Sequence, residues 1–254
     1  MQINFEQLLS EDLKKKDKER ILKPRDYIYA SEVGQSLLDC WLSLRATPIT
    51  NPVDDRVLRT FQIGHIFEDY IASLFPKELK VEREVKVELN IKGCLPIHGR
   101  VDFIVDGIPV ELKTVNSRSF WHNAKDTGRF KPYPHHVMQL LIYMLSRKVD
   151  EGILVYISKD DATIEQVNIK LTGENDKLVK ELHEWMARIT ECYRTGAAPA
   201  KEDNILFENG KYKANWKVIR SRYFTYITGT DDPHQIELEA NRMNYKLKKE
   251  SLNN

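Results

Sequence analysis

Apolar residues recur at helical spacing in three segments of the chain. The first, 31–45, begins at Ser31, a residue type that caps helices, and is followed by Pro48, which breaks them. Side chains three or four positions apart share one face of a helix, so the pattern predicts amphipathic helices. The other two segments are 54–75 and 174–193, and two further helices are expected at 134–147 and 236–249. In 54–75 the expected apolar stripe comprises Val57, Leu58, Phe61, Ile66, Ile71 and Leu74.

Alternating apolar and polar positions indicate strands in the middle of the chain. Segment 81–89 alternates at period two, as expected of a half-buried strand. Segments 97–105 and 108–115 flank Asp106-Gly107, a dipeptide favoured in two-residue type I′ turns, and therefore predict a β-hairpin. Two more strands are expected at 152–159 and 163–170.

The order of these segments predicts an α/β protein with a mixed central sheet flanked by helices. Residues 1–30, which include a charge run at 11–20, are interpreted as an N-terminal arm, and residues 31–195 as the folded core. Within that core, 116–134 lacks clear periodicity and predicts a long loop. Residues 196–254 are polar and rich in lysine and are interpreted as a C-terminal extension, to which the pattern assigns no role.

Composition restricts the classes of partner and compartment. The chain carries 39 Lys and Arg against 38 Asp and Glu, a formal net charge of +1, so a local basic patch would have to hold a nucleic acid. No apolar stretch approaches the roughly 20 residues of a membrane helix, and residues 1–20 lack the apolar centre of a secretory signal. We therefore expect a cytoplasmic protein without a membrane partner. The 3 scattered cysteines argue against a disulfide framework and against a paired-cysteine zinc site.

The predicted hairpin brings charged residues together. With Asp106-Gly107 as the turn, counting outward places Asp102 opposite Glu111, about 5 Å apart at Cβ. Alternation then directs Asp102, Glu111 and Lys113 to one face of the sheet. The opposite, apolar face is expected to hold Val101, Phe103, Val110 and Leu112.

The Asp102 and Glu111 carboxylates would repel each other at this distance unless a cation lay between them. Oxygen ligands favour Mg²⁺ or Mn²⁺, and Mg²⁺ takes one or two protein carboxylates and leaves the other positions to water and phosphate. Lys113, two positions past Glu111, would point to the same place and could stabilise charge developing on a phosphate. The spacing alone fits a phosphodiester-cleaving site, and it fits equally an exposed hairpin whose charges pair weakly.

Four short motifs resemble those of a known nuclease superfamily. Gly99-Arg-Val-Asp102 and Glu111-Leu-Lys113 are similar to the Asp and Glu-x-Lys motifs of the PD-(D/E)XK nucleases. Gly64-His-Ile-Phe-Glu68 and Gln139-Leu-Leu-Ile-Tyr143 resemble the two helical motifs of the RecB-like exonuclease branch, and all four motifs occur in that branch's order. The resemblance covers residues 30–193 and is nearest to the exonucleases associated with CRISPR systems and their phage relatives. It implies a restriction-endonuclease-like core.

The resemblance also implies a role for each motif residue. The expected metal ligands, for Mg²⁺ or Mn²⁺, are Glu68, Asp102, Glu111 and the carbonyl of Leu112. The residues expected to support the attacking water, or to orient the site or the substrate, are Lys113, Gln139 and Tyr143. Taken singly, each helical residue also fits an ordinary solvated or boundary position.

DNA-binding residues are expected around that centre. Lys159, at the end of a predicted strand, could contact a backbone phosphate, and Tyr143 could contact the strand beside the scissile bond. The long loop adds Arg118 and Arg129 as cations and Trp121 as a stacking surface. A solvated loop with buried aromatic residues explains the same pattern. The histidines at positions 65, 98, 135 and 136 are interpreted as structural or surface residues rather than ligands.

Many proteins of this type carry a four-cysteine iron–sulfur cluster. Ser31-Glu-Val-Gly34-Gln-Ser36 has serine where the first cysteine would stand, and 216–226 contains no cysteine. Because such a cluster uses four thiolates, we expect no iron–sulfur cluster. Ordinary packing would then have to stabilise the C-terminal region.

The sequence therefore predicts a metal-dependent DNA nuclease, with an exonuclease acting on DNA ends or single strands as the leading interpretation. A structure-specific or restriction-type endonuclease is the nearest alternative. A third interpretation is an inactive nuclease-fold subunit that binds DNA or a protein partner, with the basic C-terminal helix of the extension as its docking element. The chain alone does not set strand polarity, oligomeric state or biological pathway.

Overall fold

The computed structural model describes residues 3–18, 23–124, 130–171 and 176–252. The helices are α1 (Phe5–Lys18), α2 (Leu37–Leu44), α3 (Asp55–Leu74), α4 (Ser117–Ala124), α5 (Pro134–Arg147), α6 (Asp176–Thr195), α7 (Trp216–Ile219), α8 (Phe224–Thr228) and α9 (Pro233–Leu252). The strands are β1 (Ile28–Tyr29), β2 (Val81–Leu89), β3 (Ile97–Val105), β4 (Ile108–Val115), β5 (Glu151–Ser158), β6 (Ile164–Lys170), β7 (Ile205–Glu208) and β8 (Lys211–Ala214). Each strand predicted from the alternating pattern is present, with bounds within one residue of those expected.

A mixed sheet forms the centre of the protein. Its strand order is β1-β3-β4-β5-β6, and β2 also pairs with β3. The β1–β3 and β4–β5 pairs are parallel, whereas the β2–β3, β3–β4 and β5–β6 pairs are antiparallel. This arrangement confirms the predicted α/β fold with a mixed central sheet.

Helices cover both faces of this sheet. On one face, α5 and α6 contribute Leu141 and Met186 to the main apolar core, together with Ile97 and Leu154 of the sheet. On the other face, α3 covers a second apolar cluster. That cluster contains Phe103, Val110, Leu112 and Ile157 of the sheet with Phe67, Ile71 and Phe75 packed against them. The sheet therefore separates α3 from α5 and α6.

Val101 lies on the face opposite to the one predicted. It belongs to the core beneath α5 and α6, whereas Phe103 packs in the cluster under α3. The neighbouring strand β2 changes face at the same point. Glu84 adopts φ 50° between Arg83 and Val85, which pair with Phe103 and Val101, and Val85 packs in the same core as Val101. A left-handed residue interrupts the regular alternation of a strand, so side chains two positions apart no longer share a face there.

Two predicted boundaries in the helical and loop regions were wrong. The helix predicted at 31–45 begins only at Leu37, and its cap is Ser36, whose Oγ accepts a hydrogen bond of 3.2 Å from the Asp39 amide. Gly34, with φ 79°, ends the preceding 3-10 turn and prevents an earlier helical start. The segment 116–134 is not entirely a loop, because its first part forms α4.

Helix α3 spans the predicted segment but buries less of it than predicted. Leu58 is buried, whereas Phe61, Ile66 and Leu74 are exposed. The sheet covers only the side of the helix that carries Phe67 and its neighbours. The apolar residues of this helix thus extend over more of its circumference than the sheet covers.

Residues that follow α6 pack on α2. A separate apolar cluster joins Leu38 and Leu42 of α2 to Val218 and Phe224 of the C-terminal region. The β7–β8 hairpin turns at Asn209-Gly210, both at positive φ, as a type I′ turn requires. The sequence pattern does not predict α7 and α8, which have only 4 and 5 residues. The division of the chain near residue 195 stays a prediction.

The three cysteines and the longer helices bear on two expectations drawn from composition. Cys40, Cys94 and Cys192 are all free thiols. Across the described parts of the chain, no helix combines the length and apolar character needed to span a membrane.

Candidate active site

The β3–β4 hairpin forms the floor of the candidate site. Asp106 and Gly107 adopt φ of 49° and 89°, so the turn has the left-handed geometry that its dipeptide predicts. Val105 pairs with Ile108, also as predicted, and backbone pairing continues to the Phe103–Val110 pair. Backbone pairing of β3 with β4 ends at this pair.

Asp102 lies one position beyond that last pair. Its Oδ2 accepts a hydrogen bond of 2.8 Å from the backbone N–H of Leu112. Asp102 was predicted to pair directly opposite Glu111. Its side chain instead bonds to the amide of Leu112, the residue that follows Glu111. Burial, and then the nearby charge of Glu111, raises the pKa of Asp102 well above its ordinary value. A cation beside it would favour the charged form.

Glu111 is the most buried acidic group of the site, with 3% of its surface exposed. Its Oε1 accepts hydrogen bonds of 2.7 Å from Lys113 Nζ and of 2.7 Å from Gln139 Nε2. Its Oε2 is buried as well and has no hydrogen-bond partner among the described residues. Leaving a buried polar atom without a partner costs about 1–3 kcal/mol, and more for a charged group, so this oxygen is suited to an additional ligand.

Helix α5 supplies an amide and a hydroxyl that complete a hydrogen-bonded network. Gln139 and Tyr143 are four residues apart and share a helix face, as predicted. Gln139 Oε1 accepts a bond of 3.0 Å from Lys113 Nζ, and its Nε2 also donates to Tyr143 Oη at 2.7 Å. Tyr143 Oη in turn donates to the carbonyl of Arg100 at 3.2 Å. The network joins both strands of the hairpin to α5.

Lys113 remains charged in this network. Its burial would lower its pKa, but the carboxylates of Glu111, Asp102 and Glu68 together outweigh that effect and raise it. Burial and the charge of Glu111 also raise the pKa of the Tyr143 hydroxyl, which keeps this group neutral and able to donate. One ammonium thus lies within the electrostatic influence of three acidic side chains, those of Glu111, Asp102 and Glu68.

Gly99 positions the Tyr143 ring, a role that its place in the motif ending at Asp102 does not predict. A Cβ at this position would lie 2.5 Å from Cε1 of Tyr143, a separation that side-chain atoms do not adopt. The absence of a side chain in β3 therefore makes room for the Tyr143 ring. The Arg100 carbonyl was also missed, because no sequence signal marks a backbone acceptor.

Glu68 reaches the site from α3 but does not join the other carboxylates as a close third ligand. Its Oε2 lies 3.3 Å from Nδ1 of His65. Within the described residues, no group of three His, Cys, Asp or Glu side chains is close enough together to hold a metal ion. A Cβ on Gly64 would meet Thr114 Oγ1 at 3.5 Å, which is an ordinary contact, so packing does not explain the glycine there.

The Asp102 and Glu111 pair nevertheless fits a hard divalent cation. Mg²⁺ in proteins usually uses one or two carboxylates and keeps several waters. The unpartnered Oε2 of Glu111 and the raised pKa of Asp102 are both features that a bound cation would relieve. Leu112, whose carbonyl was predicted as a further ligand, lies between Glu111 and Lys113 in β4.

The residues predicted to bind DNA lie on separate elements around the site. Lys159 follows β5, and its Nζ donates to the carbonyl of Thr60 in α3 at 3.5 Å. Arg118 and Trp121 are both exposed on α4. Arg129 lies outside the described residues. Their DNA-binding role stays a prediction.

The four motifs and the α/β fold that brings them together resemble those of the RecB-like nucleases of the PD-(D/E)XK type. Comparison with known proteins adds a particular relative. The CRISPR-associated exonuclease Cas4 of Saccharolobus solfataricus is 34% identical over 114 residues, which make up 42% of this chain and 52% of that relative. The matched part thus spans about half the length of the curated relative. No protein-family model matches the chain.

The solved structure of SSO0001 supports the fold. The structure of SSO0001 superposes with a TM-score of 0.56 at 20% identity, over 88% of this chain and 96% of that chain. The alkaline exonuclease LHK-Exo from Laribacter hongkongensis has a TM-score of 0.42 at 17% identity, over 71% of this chain and 98% of that chain. The match to Cas4 confirms the resemblance to this nuclease branch over the matched part, and SSO0001 confirms the fold.

Proposed function

We propose that this protein is a divalent-metal-dependent nuclease that hydrolyses phosphodiester bonds of DNA, acting as an exonuclease on ends or single strands. The observation that carries the proposal is the buried Glu111, which has one oxygen bonded to Lys113 and Gln139 and the other without a partner in the described part of the chain. An exposed hairpin with weak surface charge pairs, the alternative left open by the spacing, does not bury such a group.

The residues that would hold the cation are Asp102 and Glu111, with the Leu112 carbonyl beside them. A bound Mg²⁺ or Mn²⁺ would supply Lewis-acid polarisation of a phosphate and a more acidic water. Glu68 would add negative charge from α3, since it already raises the pKa of both Asp102 and Lys113. With all three carboxylates ionised, these residues would carry more negative charge than one ammonium neutralises, which favours a doubly charged cation.

Lys113 would act directly on the substrate. Its ammonium is charged and held in place by two acceptors, Glu111 Oε1 and Gln139 Oε1. A fixed cation of this kind stabilises negative charge as it develops on a phosphate, and little reorganisation is needed at that moment. Gln139 and Tyr143 would be positioning residues, because they touch Lys113, Glu111 and each other.

The choice of DNA and of an exonuclease has a different basis. The Cas4 relative carries the name of an exonuclease, and the matched part covers about half of it. Lys159, Arg118 and Trp121 would supply phosphate contacts and a stacking surface around the site. Arg129 is expected to add a further cation.

The proposal is tested by incubating end-labelled linear single- and double-stranded DNA and closed circular DNA with Mg²⁺, Mn²⁺ or EDTA. Wild type is compared with Glu111→Gln, and Glu82→Gln, an exposed glutamate of β2, serves as the matched control. We expect metal-dependent loss of linear DNA by wild type and the control, with none by Glu111→Gln. Cleavage of closed circles would favour an endonuclease, and absence of cleavage with every metal would contradict the proposal.

A further inference from the structure

The short helix α7 of the C-terminal region lies against the beginning of α5. The ring of Trp216 is centred 5.2 Å from the ring of His135 and is tilted by 36° to it. Trp216 nevertheless keeps 39% of its surface exposed. It therefore combines a fixed position with an accessible aromatic surface.

The position of α7 is fixed by its own capping residue. Asn215 is buried, and its side-chain oxygen accepts a hydrogen bond from the Lys217 amide at 3.1 Å. The side-chain nitrogen of Asn215 donates to the Asp203 carbonyl at 2.9 Å. Trp216 thus projects from an anchored turn rather than from a free chain.

His135 relates Trp216 to the active site. His135, Gln139 and Tyr143 are spaced four residues apart on α5 and so follow one helix face, with neighbours about 5–6 Å apart at Cβ. Trp216 packs against the first of these three residues. Its ring accordingly lies on the order of 10 Å from the Gln139 amide, about the length of three stacked nucleotides at roughly 3.4 Å each.

Two cations accompany Trp216. Burial, and after it the charges of Lys113, Lys217 and Arg220, lower the pKa of His135 to about 4. Lys217 and Arg220 therefore lie near the His135–Trp216 pair, and Arg220 is exposed. Neither cation forms an ion pair within the residues that the structure describes. In a chain with a net charge of only +1, such a local group of cations is an electrostatic feature that an anion can use.

A chain of aromatic rings connects this group to α4. Successive ring centroids from Trp216 to Trp121 lie 4.3 to 6.3 Å apart through His135, Tyr133, Tyr156, Phe130 and Phe120. The inner Tyr156, Phe130 and Phe120 rings are buried, whereas both terminal tryptophans are exposed. The buried rings hold the exposed ones in place, so little freedom is lost when a base stacks on them.

We infer that Trp216, Lys217 and Arg220 form a subsite for single-stranded DNA in which a base stacks on the Trp216 indole and the two cations bind adjacent phosphates. This inference rests on the proposed nuclease function and extends it to the C-terminal region, to which the sequence assigned no role. Exposed aromatic surface beside unpaired cations is the combination that binds single strands without reading their bases.

The test measures binding of a fluorescent dodecamer of thymidylate in EDTA, by anisotropy, so that neither metal nor cleavage contributes. We expect Trp216→Ala to weaken binding roughly 10-fold and Trp216→Phe to retain most of it. Lys217→Gln and Arg220→Gln should each reduce the slope of log affinity against log salt by about 0.7. Tyr245→Ala, an exposed aromatic of α9, is the matched control and should bind like wild type.

A second signal guards against misfolding of Trp216→Ala. Binding of the dodecamer should quench the tryptophan emission of the wild type, and Trp216→Phe should lose that part of the quenching while it still binds. The subsite would be overturned if the variants at Trp216, Lys217 and Arg220 all bound the dodecamer with wild-type affinity, or if the wild type did not bind it. Unchanged binding with normal cleavage refutes this inference alone, whereas Trp216-dependent binding without any nuclease activity refutes the proposed function alone.

Discussion

Gly99 gives a sharp test of how the candidate site is held together. A Cβ at this position would lie 2.5 Å from Cε1 of Tyr143 and 3.2 and 3.3 Å from atoms of Ala30 and Val87. The ring is not free to move, because Tyr143 is 2% exposed and its hydroxyl is bonded to Gln139 and to a β3 carbonyl. Gly99→Ala must therefore displace the tyrosine or separate β3 from α5.

The magnitude follows from these contacts. Overpacking a core costs about 1–3 kcal/mol, and the loss of one buried hydrogen bond adds about 1 kcal/mol. We expect Gly99→Ala to lower the free energy of unfolding by roughly 2–4 kcal/mol. Displacement of Tyr143 would also release Gln139, so cleavage should fall even at temperatures where the variant is folded.

Urea unfolding followed by circular dichroism measures the effect, with Gly64→Ala as the matched control. A Cβ at Gly64 meets only Thr114 Oγ1 at 3.5 Å, and alanine favours a helix over glycine by up to about 1 kcal/mol. Gly64→Ala should therefore be at least as stable as wild type. In a Tyr143→Leu background, which removes the ring, Gly99→Ala should cost less. Equal stability of Gly99→Ala and wild type would refute the claim that Tyr143 excludes a side chain at position 99.

Two further predictions concern charge. Burial, the largest cause, raises the pKa of Asp39 from 3.8 to about 6. The stability that follows from this shift is fully present below pH 3.8, where Asp39 is protonated in both states, and it is lost as the pH rises through 6. At pH 8, Asp39→Asn should consequently unfold at higher urea than wild type, with a free energy of unfolding larger by up to about 3 kcal/mol. At pH 4 the two proteins should differ little. A gain in stability that is the same at both pH values would contradict this prediction. Lys113→Met should abolish cleavage, and Lys113→Arg should restore little of it, because a guanidinium fork does not fit the two acceptors that hold the ammonium. Cleavage at wild-type rates by either Lys113 variant would exclude a role for this residue.

Local signals made the hairpin and α5 predictable from the sequence. Asp106-Gly107 encodes a left-handed turn by its residue types alone, and that turn sets the register as far as Phe103 and Val110. Gln139 and Tyr143 share a face because of helical geometry, whatever the helix packs against. The arrangement of these motifs follows from rules that act over a few residues.

The misses have a different origin. The change of face between Val101 and Phe103 lies opposite the left-handed Glu84 of the neighbouring strand, and no local pattern in β3 predicts it. The contact between Gly99 and Tyr143 and the packing of Trp216 on His135 join residues that are distant in sequence. Such contacts are set by tertiary packing, which the periodicity of a single segment does not contain.

The proposed cleavage of DNA by the buried Glu111 and its neighbours is tested most directly by a release assay. The rate at which label is released from linear DNA under saturating Mn²⁺ is measured for wild type, Glu111→Gln and Glu82→Gln. We expect a loss of at least about 100-fold for Glu111→Gln with its fold intact, and no loss for Glu82→Gln. Release at the wild-type rate by folded Glu111→Gln would exclude Glu111 from the reaction.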